Sequence, residues 1–551
     1  MAYERPTKKC DLVMKGGVTS GVVYPKAIGE LSKQYQFSSI GGTSAGAIAA
    51  AVAAAAEYAR AGDKLDAFED VARLPDWLCA TSPDKRPSNL FHLFQPQLSL
   101  APLYAVLTAG LGKKWIAQCF AKFRAALLQF PVAASIGLLP GALVAWVASG
   151  TEEWQKWLGF ALAGVIGLLL CILVAAVWLA RQIPHHGWGL CFGMTETKSA
   201  GSPALVPWLS EYLDRLAGKN SDEPLAFGDL ESRNVHLQMI STNLTNGRPY
   251  SLPFSEHTHF YFKGSEFGNF FPESVVRWME THPGQPPSRG PVKNDGLSIL
   301  PDRENLPVIV AGRMSLSFPF LFCPVPFYGV DFGYGPKTTG QSAQSIPEPC
   351  FFVDGGLANN FPLNLFDKPL PRWPTFGINL RSKDERHRQD AFIPCDNSGG
   401  LEGWWTGFEE KYGLGGLLGY FGLLFDTSRN WRDNLQMSAP GYRDRVVHIG
   451  LDPEKEGGMN LDMPGTVIND LTKRGQQAGR ALLSRYSPTD DYPILRNASL
   501  VSTTRNGCGS AASWSCSKIP CSRWKPPSLT LALESGPTRT CSNTLTSWAI
   551  P

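Results

Sequence analysis

Gly42-Thr43-Ser44-Ala45-Gly46 forms a GxSxG sequence between a short apolar run, Phe37-Ser-Ser-Ile40, and an alanine-rich run from Ala47 to Arg60. A serine at such a strand-to-helix turn projects its hydroxyl from a strained backbone, and Gly42 and Gly46 leave room for the sharp bend. The chemistry it suits is nucleophilic attack on a carbonyl. A second element, Lys15-Gly16-Gly17-Val18-Thr19-Ser20-Gly21, follows the apolar run Asp11–Met14. Consecutive glycines leave N–H groups unshielded and a helix starting there adds its positive end, so this turn is expected to supply an oxyanion hole. Phosphate binding, the other use of such a turn, would require GxxxxGK[ST], and GxGxxG is also absent from it. The third element is Asp354-Gly355-Gly356, after the strand-like run Cys350-Phe-Phe-Val353. An aspartate there can take a proton from a hydroxyl while Gly355 and Gly356 let another backbone approach; an ordinary Asp-Gly turn is the alternative. No histidine adjoins the three motifs. His387 and His448 follow Asp354 in the order of an α/β-hydrolase and keep a Ser-His-Asp triad as a second reading.

Positioning these motifs requires alternating elements. Strand, glycine turn, helix, strand, glycine turn and helix over the first 80 residues predict a parallel sheet and an α/β domain. The alternation is interrupted by two uncharged stretches, Ala125–Ser149 and Trp157–Ala180. The second, at about 1.5 Å per residue, can cross a hydrocarbon core of roughly 30 Å; the first carries Pro131 and Pro140 and is the weaker span. Joined by a short loop, they predict an inserted transmembrane hairpin. Lys113, Lys114, Lys122, Arg124 and Arg181 flank its outer ends and place them, with the catalytic body, on the cytoplasmic side. Val235–Ile240, Pro307–Val310, which enters a Ser/Pro-rich turn and helix, and Arg445–Ile449 resume the alternation, and Thr466–Leu483 predicts a last amphipathic helix. Residues 403–425, rich in glycine and aromatics, suit either a packed loop and helix or a membrane-facing surface.

The three motifs, in this order, resemble those of the patatin-like phospholipases. Thr242–Pro249, Ala311–Pro319 and Asn360–Pro362 share the likeness, which extends over about Cys10 to Arg485. The resemblance implies a three-layer α/β/α fold and a Ser-Asp dyad acting on lipid esters, with Ser44 as nucleophile, Asp354 as general base and the backbone of Gly16, Gly17 and Val18 as oxyanion hole. No metal and no cofactor are implied. Members usually carry GGGx[RK]G at the first turn, whereas Val18 here takes the place of the third glycine and Ser20 that of the basic residue.

With 551 residues, one large catalytic body with an insertion is expected, running over residues 1–124 and 181–487 around a hairpin at 125–180. A formal charge of +3 supplies no basic surface for nucleic acid, and 18% charged residues fits a chain with long apolar segments. Twelve cysteines without a CxxC pair indicate neither a zinc ribbon nor a disulfide framework. The polar start, without a signal-peptide core, places the N-terminus in the cytosol. Residues 488–551 are expected to be a disordered or frame-shifted tail, since from Arg496 onward they carry one acidic residue, Glu534, and no periodicity. The expected protein is a two-span, membrane-anchored serine acyl hydrolase whose partners are the bilayer and a phospholipid or acyl glyceride, without nucleic acid. A catalytically silent lipid-binding scaffold is the rival, separable by a Ser44-reactive probe.

Overall fold

Cys10, Leu12 and Met14 on the first strand pack into one apolar cluster, while Val13 between them joins another with Phe361, Leu363, Phe366, Met437 and Val446. That period of two means the strand is covered on both faces, as in a central strand of a layered α/β domain. The computed structural model describes residues 5–80, 88–109, 115–147, 153–195, 203–220, 222–255, 260–286, 292, 296–330, 347–383, 390–394, 414–439, 441–452, 455–456, 460–489 and 491. Five strands form the parallel centre: β1 (Lys8–Met14), β2 (Tyr35–Thr43), β4 (His236–Asn243), β11 (Thr375–Ser382) and β13 (Val446–Leu451), in the order β13-β11-β1-β2-β4.

Beyond β4 the sheet reverses direction. Strand β10 (Glu348–Asp354) runs antiparallel to both β4 and β9 (Val325–Gly329), and β6 (Phe260–Phe262) and β7 (Ser298–Ile299) complete that wing. β5 (Arg248–Leu252) folds back on β4, and β12 (Ala391–Phe392) closes the other edge against β13. The remaining strands, β3 (Gly189–Cys191) and β8 (Phe320–Phe322), pair with each other apart from this sheet. The expectation of a parallel sheet thus holds for its centre and fails for β10, because a strand's direction is set by how the chain returns to the sheet and not by its own residues. The fold is a mixed α/β structure with a large central sheet.

Helix Ala45–Ala61 packs on β2, and eleven of its residues are alanines, including the fully buried Ala50, Ala53, Ala54 and Ala55. Such small side chains let the helix lie close to the strand it follows. Helix Gly465–Tyr486 packs along helix Tyr24–Leu31, where Gly475 and Gly479 meet the backbone of Val23 and Ala27.

The inserted segment departs from two equal spans. Its first apolar stretch is split at Phe130 into helices Trp115–Gln129 and Pro131–Val147, because Pro131 has no N–H to continue the first but fits the start of the second. Pro131–Val147 packs along Glu153–Ala180. Among the described residues, one helical segment, Trp157–Ala180, is long and apolar enough to cross a membrane. Its side chains are mostly open to the surroundings, with Trp157 64% and Ile166 65% exposed. Most of the expected tail, including residues 492–551, and the stretch 403–413 lie outside the described residues.

Candidate active site

Ser44 stands between β2 and helix Ala45–Ala61 with φ of 56° and ψ of −129°, a conformation that side-chain-bearing residues rarely adopt. The neighbouring glycines explain how the backbone reaches it. A Cβ on Gly42 would lie 2.4 Å from the Gly46 carbonyl oxygen, and one on Gly46 would lie 2.4 Å from the Met14 carbonyl oxygen. Both obstacles are backbone and cannot rotate away. The Ser44 N–H donates to Ser315 Oγ at 3.0 Å, and Ser315 in turn donates to the Ile240 carbonyl at 2.6 Å, so the bend is tied to β4.

Asp354 is brought to the same level by strand register. Thr43 lies opposite Ile240 across β2 and β4, and Asp354 lies opposite Ser241 across β4 and β10. Ser44 and Asp354 therefore leave the sheet side by side with only β4 between their strands. Gly355 crosses directly over that strand, where a Cβ would be 2.0 Å from the Ile240 carbonyl oxygen. Asp354 Oδ1 accepts the Gly356 N–H at 2.7 Å. The carboxyl is buried, and burial raises its pKa above the usual aspartate range against the opposing pull of the Ser44 hydroxyl, Arg429 and the Gly356 N–H.

The family model for the patatin-like phospholipases matches residues 12–367, which include the glycine turn, the Ser44 elbow and the Asp354 turn. The chain belongs to the patatin-like phospholipase family. It is accordingly a lipid acyl hydrolase. A relative named RpoH suppressor, from Rhizobium meliloti (strain 1021), is 34% identical over 545 residues, covering 89% of this chain and 84% of its own. Among solved structures, VipD from Legionella pneumophila is similar at 14% identity and a TM-score of 0.28, covering 88% of this chain and 67% of that one. ExoU in complex with SpcU, from Pseudomonas aeruginosa, is similar at 15% identity and a TM-score of 0.24, and the match spans 87% of this chain and 52% of that one.

Within this patatin-like site the glycine turn departs from expectation in two of its three donors. The Gly16 N–H is already donated to the Asn360 carbonyl at 2.9 Å. The Gly17 carbonyl accepts the Ala45 N–H at 3.1 Å and the Ser44 hydroxyl at 3.3 Å. Because C=O and N–H of a trans peptide point in opposite directions, the Val18 N–H is turned away from Ser44 in this conformation. Gly16 contributes space instead, since a Cβ there would lie 3.2 Å from Ser44 Cβ and 3.1 Å from the Thr43 carbonyl. Gly17 keeps an N–H with no intramolecular acceptor among the described residues.

His448 is removed from this arrangement. It hydrogen-bonds Asn379 Nδ2 at 2.9 Å and stacks on Phe392, on a strand separated from β2 by β11 and β1. Three strand spacings amount to roughly 14 Å. His387, the other histidine considered, lies outside the described residues.

Ser315 and Asn360 lie in two of the stretches that share the family likeness, whereas Ser241, Arg429 and Asp433 had no signal in the motifs and reach the site only through tertiary packing. Ser241 donates to the Val353 carbonyl at 2.8 Å, steadying the strand end that carries Asp354. A cation is present at the turn despite Ser20: Lys15, just before Gly16, is buried, and burial lowers its pKa, with Asp433 opposing and Arg429 and Arg381 reinforcing that shift. Among the described residues no group of His, Cys, Asp and Glu is arranged to hold a metal ion. A cavity of about 220 Å³ lined by Arg5, Lys9, Glu57 and Arg233 opens near the starts of β1 and β2, at the opposite end of the sheet from Ser44.

Proposed function

We propose that the chain is a membrane-anchored serine acyl hydrolase in which Ser44 and Asp354 act as a dyad on phospholipids or acyl glycerides. The observation carrying this reading is the register by which a strained serine and a buried aspartate of raised pKa leave the sheet side by side, since the raised pKa makes the ionised carboxylate a stronger base. Ser44 leaves the Gly17 carbonyl and gives its proton to Asp354 as Oγ bonds to the ester carbonyl carbon. The Gly17 N–H takes up the oxyanion, and rotation of the Gly17–Val18 peptide would add the Val18 N–H. The alcohol leaves with the proton from Asp354. Water then attacks the acyl-enzyme as Asp354 takes its proton, and Asp354 returns that proton to Oγ as the Oγ–carbonyl bond breaks, releasing the fatty acid and restoring the Ser44 hydroxyl and the Asp354 carboxylate.

Ser44→Ala and Asp354→Asn are expected to lower turnover of a short-chain ester by roughly a thousandfold or more with folding intact, since nucleophile and base act as a unit. His448→Ala should retain most activity. Comparable turnover by folded Ser44→Ala sinks the nucleophile assignment.

In the same reading, residues 125–180 form a two-span hairpin that interrupts a catalytic body of residues 1–124 and 181–487 and holds it at the cytoplasmic face, leaving 488–551 as a tail. Support comes from the open, uncharged surface of Trp157–Ala180 and from its packing with Pro131–Val147. The latter rises about 25 Å, so its flanks must complete the crossing. Membranes from expressing cells, washed with alkaline carbonate, should retain the chain, and deletion of 125–180 should release an ester-cleaving body. Full extraction of the intact chain removes the anchor.

A further inference from the structure

The helix Leu414–Ser438 begins well after residue 367, where the family match ends, yet two of its residues reach the site. Arg429 Nε donates to the Gly356 carbonyl at 3.1 Å and Arg429 Nη2 donates to Asn360 Oδ1 at 3.1 Å. One turn later, Asp433 Oδ1 accepts the Phe361 N–H at 3.2 Å. Asn360 is in turn the residue whose carbonyl holds the Gly16 N–H. At 100° per residue Arg429 and Asp433 share one face of the helix, while Tyr420, Leu424, Trp431 and Leu435, all exposed, fall on the opposite face.

We propose that Arg429 is a positioning residue for this site, bridging the turn after Asp354 to Asn360 and through Asn360 fixing the Gly16 end of the oxyanion turn. This rests on the reading of Ser44 and Asp354 as the catalytic dyad. A planar guanidinium can span two acceptors on separate loop segments, which a single ammonium point charge does less well. Both acceptors are neutral oxygens, and hydrogen bonds from a cation to such groups are stronger than those between neutral partners. Gly356 leaves the space this needs, since a Cβ there would stand 3.0 Å from Arg429 Nη2 and 2.6 Å from Asn360 Oδ1. The same charge lies close enough to Asp354 to favour its ionised form, as does the Ser44 hydroxyl; Lys15 and Asp433 are the other ionisable groups set around Arg429. The basic residue missing at Ser20 thus has a counterpart that approaches from a later helix.

The test is ester turnover against pH for the full chain carrying Arg429→Gln or Arg429→Lys, with thermal unfolding as a check on folding. For Arg429→Gln, kcat should fall roughly tenfold to a hundredfold with KM little changed, as for a small misplacement of reacting groups. The acid limb of kcat/KM should move to higher pH, because Asp354 loses a neighbouring cation. Arg429→Lys should hold the acid limb near its wild-type position while recovering only part of kcat. A folded Arg429→Gln with kcat within about twofold of wild type and an unmoved acid limb overturns the proposal. If Arg429→Gln does not fold, Arg429→Lys decides alone: reduced kcat with the acid limb in place supports the bridge, and wild-type kcat overturns it. Asp354→Asn measured alongside separates the two readings. Retained turnover in that variant removes the base assignment itself, whereas its inactivity beside an unaltered Arg429→Gln removes only the bridge.

Discussion

Ser44 occupies a backbone conformation unfavourable to serine because two glycines let β1 and its own helix press against the bend. The glycines of the GxSxG sequence thus act as spacers against specific carbonyls, those of Met14, Lys15 and Gly46. Gly46→Ala should therefore destabilise the fold by about 2–3 kcal/mol, as overpacking against immovable backbone does. Ester turnover should fall as well, and denaturant unfolding with an activity assay reads both. Wild-type stability in that variant contradicts the spacing argument. At this scale the sequence was most legible: Ser44, Asp354 and the glycines around them are specified by local turn chemistry, which a motif records. The orientation of the Gly17–Val18 peptide was not legible, because which way a glycine-flanked peptide faces is decided by its partners, here Ala45 and Ser44. Arg429 was also hidden, since its acceptors lie about 70 residues earlier in the chain.

Among the elements, the central strands β1, β2, β4 and β13 and the last helix were readable from apolar runs and their period. Neither β11 nor the reversal of β10 was. That reversal serves the site, because an antiparallel strand descending past β4 ends at Ser241, where Asp354 is needed. The helix Leu414–Ser438 was only half-legible: four glycines in its first nine residues weaken its helical signal, and its two faces serve different surroundings. Helix Leu205–Ala217 carries a testable electrostatic feature. Burial raises the Asp214 pKa to about 6 against the opposing effect of the Leu225 N–H, which it accepts at 2.8 Å. A carboxyl with a raised folded-state pKa contributes stability below its unfolded value near 3.8, and that contribution is lost as pH rises through about 6. Asp214→Asn, which keeps an acceptor for Leu225, should thus gain on the order of 2 kcal/mol relative to wild type between pH 4 and pH 8. Parallel denaturant titrations at the two pH values measure it; a constant difference between the proteins contradicts the burial argument.

For the whole molecule, the described site inventory ends at Asp433, and the last packed element is helix Gly465–Tyr486. Truncation after residue 491 should leave ester turnover and thermal unfolding unchanged, because it removes none of these contacts. Truncation before Gly465 should abolish the fold by stripping the cover from helix Tyr24–Leu31. A strong loss of activity from the shorter cut would mean that the tail supplies part of the cleft. The sheet order also fixes a sequence in time. Ser44 and Asp354 lie about 310 residues apart, with β4 between their strands, so the pair cannot assemble until β10 has left the ribosome. At 5–20 residues per second, that is about 15–60 s after the serine has been made. The apolar helix Trp157–Ala180 emerges within that interval. A nascent chain therefore completes its most apolar helix before it can bring Ser44 and Asp354 together, so the emerging segment is exposed to lipid while the pair is still incomplete.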